Sequence, residues 1–115
     1  MKLRRSGDRV DVVIDGLAAD ARVVSRGSSS TKWSGQVRST TALYLRRPQE
    51  VGLPEAGLRS IRLSSSGQGG LELVVLAVQG ATLSEPQTRV DGKSLIVSFA
   101  SLPTQVTALT RGQLI

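Results

Sequence analysis

Between Gly57 and Phe99 the chain is a series of short apolar alternations cut by turn chemistry, a pattern that confines it to a β fold. Arg59, Ile61 and Leu63 share one face of an extended run, and Ser60 and Arg62 take the other. Gly67-Gln68-Gly69-Gly70 supplies a turn, and Leu71 to Val78 is apolar on both faces apart from Glu72, the mark of a central strand. Val90-Asp91-Gly92-Lys93 then opens a run in which Leu95, Val97 and Phe99 point inward. Asp-Gly between alternating apolar residues predicts a hairpin, because a type I′ turn needs positive φ at both central residues and Asp and Gly tolerate it. No stretch keeps a period of 3.6, so no helix longer than one turn is expected.

The first half repeats the theme. Val10, Val12 and Ile14 fall on one face of a strand closed by Asp15-Gly16, and Ala21 to Ser25 forms a second short strand. Gly27-Ser28-Ser29-Ser30 reads as a loop, and Lys32 to Val37 resumes an extended pattern around the only Trp. Thr40 to Arg46 alternates again, with Ala42 and Tyr44 on one face and Leu43 and Leu45 on the other, predicting a strand covered on both sides. Pro48, Gly52 and Pro54 make Arg47 to Ala56 a long connection between two sheets. The expected architecture is an all-β sandwich of two small, mainly antiparallel sheets. Residues 1–8 are a flexible basic segment, 9–102 the sandwich, and 103–115 an edge strand around Val106 to Leu109 or a linker to a further domain. The expected core is Val12, Ile14, Ile61, Leu63, Leu73, Val75, Leu95, Val97 and Phe99.

Composition narrows function by exclusion. The 115 residues suit one domain, and they contain neither Cys nor His. Disulfides, the usual zinc and haem ligands, thiol nucleophiles and imidazole bases are thereby absent. Ser29-Ser30-Thr31-Lys32 matches a serine-lysine spacing but lies in a Ser-rich loop rather than at a helix start. Gly67-Gln68-Gly69-Gly70 has no helix after it to cradle a phosphate, and the carboxylates are dispersed. No residue is a catalytic candidate, and no metal or cofactor is implied. No signal peptide is visible after Met1, because Asp8, Arg9, Asp11 and Asp15 interrupt each apolar run, and no run approaches the roughly 18 residues of a transmembrane helix.

Charge is consistent with an anionic partner, although scattered Arg on a solvated β-surface is the commoner explanation of such an excess. Residues 1–47 hold ten basic and four acidic groups and residues 48–115 five of each, so the whole net charge of +6 lies in the first part. Twelve of the fifteen cations are Arg, whose planar fork suits carboxylate and phosphate. Nucleic acid is disfavoured, since only Trp33, Tyr44 and Phe99 are available for stacking, Phe99 has a core phase, and no helix can enter a groove.

Gly57-Leu58-Arg59-Ser60-Ile61-Arg62-Leu63, then Gly67-Gln68, Leu71 to Val78 and Asp91-Gly92-Lys93-Ser94-Leu95-Ile96-Val97, resemble the AMIN domain. That non-catalytic module precedes bacterial N-acetylmuramoyl-L-alanine amidase domains and occurs in type IV pilus secretins. The resemblance runs from about Arg9 to Phe99. Where the family often ends a strand in Asp-Leu-Pro, this chain has Arg46-Arg47-Pro48, so an acidic position is basic. The resemblance implies a β-sandwich in the periplasm that targets a larger envelope protein to peptidoglycan or another anionic wall polymer. Arg62, the Arg of the Ile-Arg pair, with Arg59, Arg38, Arg46 and Arg47, forms the expected ligand surface; the alternative for Arg62 is a pair with a neighbouring carboxylate across the sheet. The rival reading is an assembly module whose sheet edges pair with neighbouring envelope-protein subunits.

Overall fold

The computed structural model describes residues 1–6, 9–16, 20–40, 43–67 and 69–100. Among these residues nine strands form two sheets, all of whose ladders are antiparallel: β1 (Lys2–Ser6), β2 (Arg9–Ile14), β3 (Arg22–Ser28), β4 (Lys32–Arg38), β5 (Gln49–Leu53), β6 (Leu58–Ser65), β7 (Leu71–Ala77), β8 (Gln87–Asp91) and β9 (Ser94–Ala100). The order is β1-β2-β9-β8 in one sheet and β3-β4-β7-β6-β5 in the other. The sole helix among the described residues is a three-residue 3-10 turn, Pro54–Ala56. No helix of the described residues is long and apolar enough to cross a membrane.

The inward faces of the two sheets share one core. Val10, Val12, Ile14, Leu95, Val97 and Phe99 from the four-stranded sheet meet Trp33, Val37, Ile61, Leu63, Leu73 and Val75 from the other. All nine core residues expected from strand phase are buried. Trp33 sets its ring edge-to-face on Phe99, 5.6 Å between centroids and 78° between planes, which ties the sheets together beyond their shared burial. β7 is central in its sheet, as its apolar run predicts, although Val74 and Leu76 on its outer face are only half-buried.

Several expectations are corrected. Residues 2–6 of the segment expected to be flexible form β1, because Leu3 packs against the core while the edge strand needs only one ladder, on β2. Arg47 to Ala56 is not simply a connection: Pro48 and Pro54 lie outside β5, which pairs with β6 between them. The described part of Thr40 to Arg46 is not a strand, since Leu43 N–H donates to the Gly69 carbonyl and Leu45 N–H to Ser65 Oγ; Leu43 and Leu45 pack inward and Tyr44 is exposed. β3 runs through Ser28, shortening the expected loop, and Ser29 caps the turn by accepting from the Thr31 and Lys32 amides. The β8–β9 hairpin pairs Asp91 with Ser94, so Gly92 and Lys93 are the central residues. Positive φ occurs at Gly92 alone (+65°), the pattern of a type II′ rather than a type I′ turn. The suggested edge strand at Val106 to Leu109 lies outside the described residues.

Arg59 is the instructive departure in β6. Both ladders of this strand shift register at its start, between Leu58 and Ser60 against β7 and opposite Val51 to Leu53 on β5. The bulge turns Leu58 inward and leaves Arg59 exposed, although simple alternation gives Arg59 the phase of Ile61. Gly52 permits the approach: a Cβ there would lie 2.6 Å from the Arg59 carbonyl oxygen.

Candidate functional site

Sheet order, rather than sequence spacing, decides which of the five predicted arginines meet. Arg62 projects from the outer face of β6 opposite Glu50 of β5, and its Nη1 lies 3.6 Å from Glu50 Oε1. Ser60 Oγ donates to the other oxygen of the same carboxylate at 2.6 Å. Arg62 is therefore engaged in a cross-strand ion pair, both of whose members remain half-exposed. Arg59, at the bulge, is about 20 Å along β6 from Ser65, given six residues of strand rise.

Arg38, Arg46 and Arg47 lie at that other end. Arg38 closes β4, and its Nε and Nη2 donate to Gln36 Oε1 at 3.1 and 3.0 Å. Gln36, buried on the outer face of the sheet, donates through Nε2 to Ser66 Oγ at 3.3 Å, and Ser66 Oγ donates to the Gly70 carbonyl at 3.1 Å. This chain fixes the guanidinium against the β6–β7 turn while leaving its other donors free. Arg46 and Arg47 follow Leu45, whose N–H donates to Ser65 Oγ at 2.7 Å and whose carbonyl accepts from the same hydroxyl at 3.1 Å. Both are exposed, and no carboxylate of the described residues lies within ion-pair distance of Arg46, Arg47 or Arg59.

The same Gln36, Ser65 and Ser66, with Arg26, Gly35 and Glu72, line an open hollow of about 310 Å³. Arg26 is the extra residue of a bulge on the edge strand β3. Register also sets Arg22 directly opposite Arg38, a like-charge pair that is unfavourable alone. Asp20 offsets it: hydrogen bonds from Thr40, side chain first and then backbone N–H at 2.8 Å, hold its carboxyl below the usual aspartate range, and Arg22 adds to the effect. The hollow offers the Arg26 guanidinium with Ser and Gln polar groups to an anion, with Glu72 the one carboxylate in its wall. Tyr44, 77% exposed, sits one residue before Leu45 and so beside this end of the sheet.

Arg22 and Arg26 were not among the residues expected from sequence. Their signal was present in the basic excess of residues 1–47, but only the β3–β4 register carries them to Arg38. Trp33 is core at 1% exposure, which leaves Tyr44 as the exposed aromatic of the chain. The Ser29–Lys32 match is a hairpin turn, and among the described residues no three of His, Cys, Asp and Glu gather as metal ligands. Comparison with protein-family models, with curated proteins and with solved structures finds no match.

Proposed function

We propose that this chain is a non-catalytic binding module that docks on an anionic cell-wall polymer, peptidoglycan foremost, as the targeting part of a larger envelope protein. The observation that carries the reading is the basic end of the five-stranded sheet: Arg26 lines the hollow, Arg38 bonds the hollow's Gln36, Arg22 lies opposite Arg38, and exposed Arg46 and Arg47 follow Leu45, which bonds the hollow's Ser65. Peptide stems present repeated carboxylates, which guanidinium forks pair bidentately. Each exposed pair is weak, so useful affinity comes from many copies on one polymer. Tyr44 adds an apolar ring face beside the cations for a sugar ring. The periplasmic setting and the fusion to an amidase or secretin rest on the resemblance to AMIN domains.

The test is co-sedimentation of the 115-residue chain with purified peptidoglycan across a salt series. Binding at low salt that is released as ionic strength rises is expected. Arg46→Ala/Arg47→Ala should weaken it severalfold at unchanged melting temperature, whereas Arg62→Ala, whose guanidinium Glu50 already holds, should bind as the parent does. Equal retention by heparin or DNA would reduce the effect to unspecific charge attraction. The assembly reading has one observation in its favour: β8 is exposed along its whole length, including Val90 at 42%, and no strand of the described residues pairs with its outer edge. Self-association without sedimentation at low salt would select it.

A further inference from the structure

The outer face of the other sheet carries a second cluster. Asp11 lies on β2 with a side chain only 8% exposed, between Arg4 directly opposite on edge strand β1 and Arg89 on edge strand β8. A carboxylate so covered requires partners. Its Oδ2 has Arg4 Nη2 at 3.3 Å and Arg89 Nη2 at 3.9 Å, so two guanidiniums converge from opposite edges of the sheet on one oxygen. Arg9 joins them from the end of β2, donating from Nε to Ser98 Oγ at 2.7 Å and from Nη2 to the Ser98 carbonyl at 2.8 Å. Asp15, at the far end of this face, is already taken by Lys2 at 3.4 Å and by the Ser94 hydroxyl. Two guanidiniums thus share the one carboxylate of Asp11, and a third, Arg9, is held beside them on Ser98.

We propose that Arg4 and Arg89, held in place by Asp11, form an oxyanion site on the outer face of the four-stranded sheet, with Arg9 at its margin, taking a carboxylate or a phosphate group. Each guanidinium carries five donors; Arg4 spends one on Asp11, Arg89 stands at ion-pair distance only, and both side chains remain more than half exposed, at 57% and 59%. An oxyanion above Asp11 meets donors already facing one another, so little side-chain ordering is left to oppose binding. The excess positive charge at the centre supplies the attraction, and the forked geometry selects planar or tetrahedral oxyanions over halide. This face is on the opposite side of the sandwich from the hollow, so the inference stands independently of the wall-binding reading.

The test is a low-salt titration of the 15N-labelled chain with acetate and, separately, with inorganic phosphate, following arginine Nε–Hε and backbone signals. Arg4 and Arg89 are expected to shift along a saturable curve with at least one anion, and the tighter arm identifies carboxylate or phosphate as the natural group. Arg4→Lys and Arg89→Lys keep the charge but lose the fork, and each should weaken the affinity at least about fivefold while the spectrum stays dispersed. Arg59→Ala removes an exposed cation on the other sheet and should leave the curve unchanged. Shifts that never saturate, Lys variants that bind like the parent, or an Arg59→Ala loss equal to that of Arg89→Ala would overturn the proposal.

Discussion

Gly35→Ala tests the packing that joins the two sheets. Gly35 occupies the middle of β4 on its inward face, and Trp33, two residues away on that face, lays its ring across it. A Cβ at Gly35 would lie 2.8 Å from Trp33 Cζ2, closer still to Cη2, and 3.0 Å from Val23 Cγ1. Unstrained carbon contacts need about 3.5–4.0 Å, so the indole must retreat by on the order of 1 Å. It has nowhere to go. The ring is 1% exposed, stands edge-on to Phe99 at 5.6 Å, and donates from Nε1 to Glu85 Oε2 at 3.3 Å.

Overpacking of this kind costs about 1–3 kcal/mol, while replacing glycine returns about 0.4–1 kcal/mol through the unfolded chain. A net loss of up to about 2.6 kcal/mol is therefore expected, each kcal/mol lowering the melting temperature by about 4–8 °C in a domain of this size. Urea unfolding read by the fluorescence of Trp33, the only tryptophan, reports from the site itself. Near-UV circular dichroism should change as the Trp33–Phe99 contact is disturbed. Adding Trp33→Phe, with unfolding then followed by far-UV circular dichroism, should recover part of the penalty, because the two changes meet at one point in space. A Gly35→Ala protein as stable as the parent, with an unaltered near-UV spectrum, would refute the reasoning.

Leu73→Ala, at a fully buried position on the central strand, should cost about 2–5 kcal/mol in the same assay, and a loss under about 0.5 kcal/mol would contradict the burial. Ser94→Ala should raise the Asp15 carboxyl toward its ordinary value, because the Ser94 hydroxyl is the largest cause of its depression, with Lys2 second among the favourable ones. The folded-state pKa is the depressed one, so the stability linked to Asp15 is present above about pH 4 and lost as pH falls through the lowered value. The variant should lose part of this acid-side dependence, and an unshifted Asp15 titration by NMR would contradict the assignment.

Strand phase could be read wherever one face is apolar and the run is uninterrupted, as at Val10–Ile14, Leu71–Ala77 and Leu95–Phe99. It failed where the ladder is local and one-sided. β1 has only Leu3 to mark its inner face, and β5 is framed by prolines that resemble loop residues although neither interrupts its hydrogen bonds. The Leu43–Leu45 segment alternates like a strand, but its backbone finds a serine hydroxyl and a turn carbonyl instead of a neighbouring strand. The Arg59 bulge leaves no trace in a period-2 pattern, because it depends on how closely Gly52 lets β5 approach. The candidate sites were still less readable. Arg4 and Arg89 are 85 positions apart in sequence, and the β1-β2-β9-β8 order brings both to Asp11.

That strand order also dictates a timetable. β3 to β7 are consecutive in the chain and form their sheet among themselves, whereas β2 must wait for β9, pairing Asp11 with Ser98. During synthesis the β1–β2 pair emerges well before its partner, with Val10, Val12 and Ile14 uncovered, and it stays incomplete until β9, which begins 80 positions after Ile14, has been made. The last joining step closes the longest loop in the domain and is entropically the most expensive. A chain cut short before Ser94 would thus carry a finished five-stranded sheet with its inner face uncovered, the kind of half-built species that aggregates.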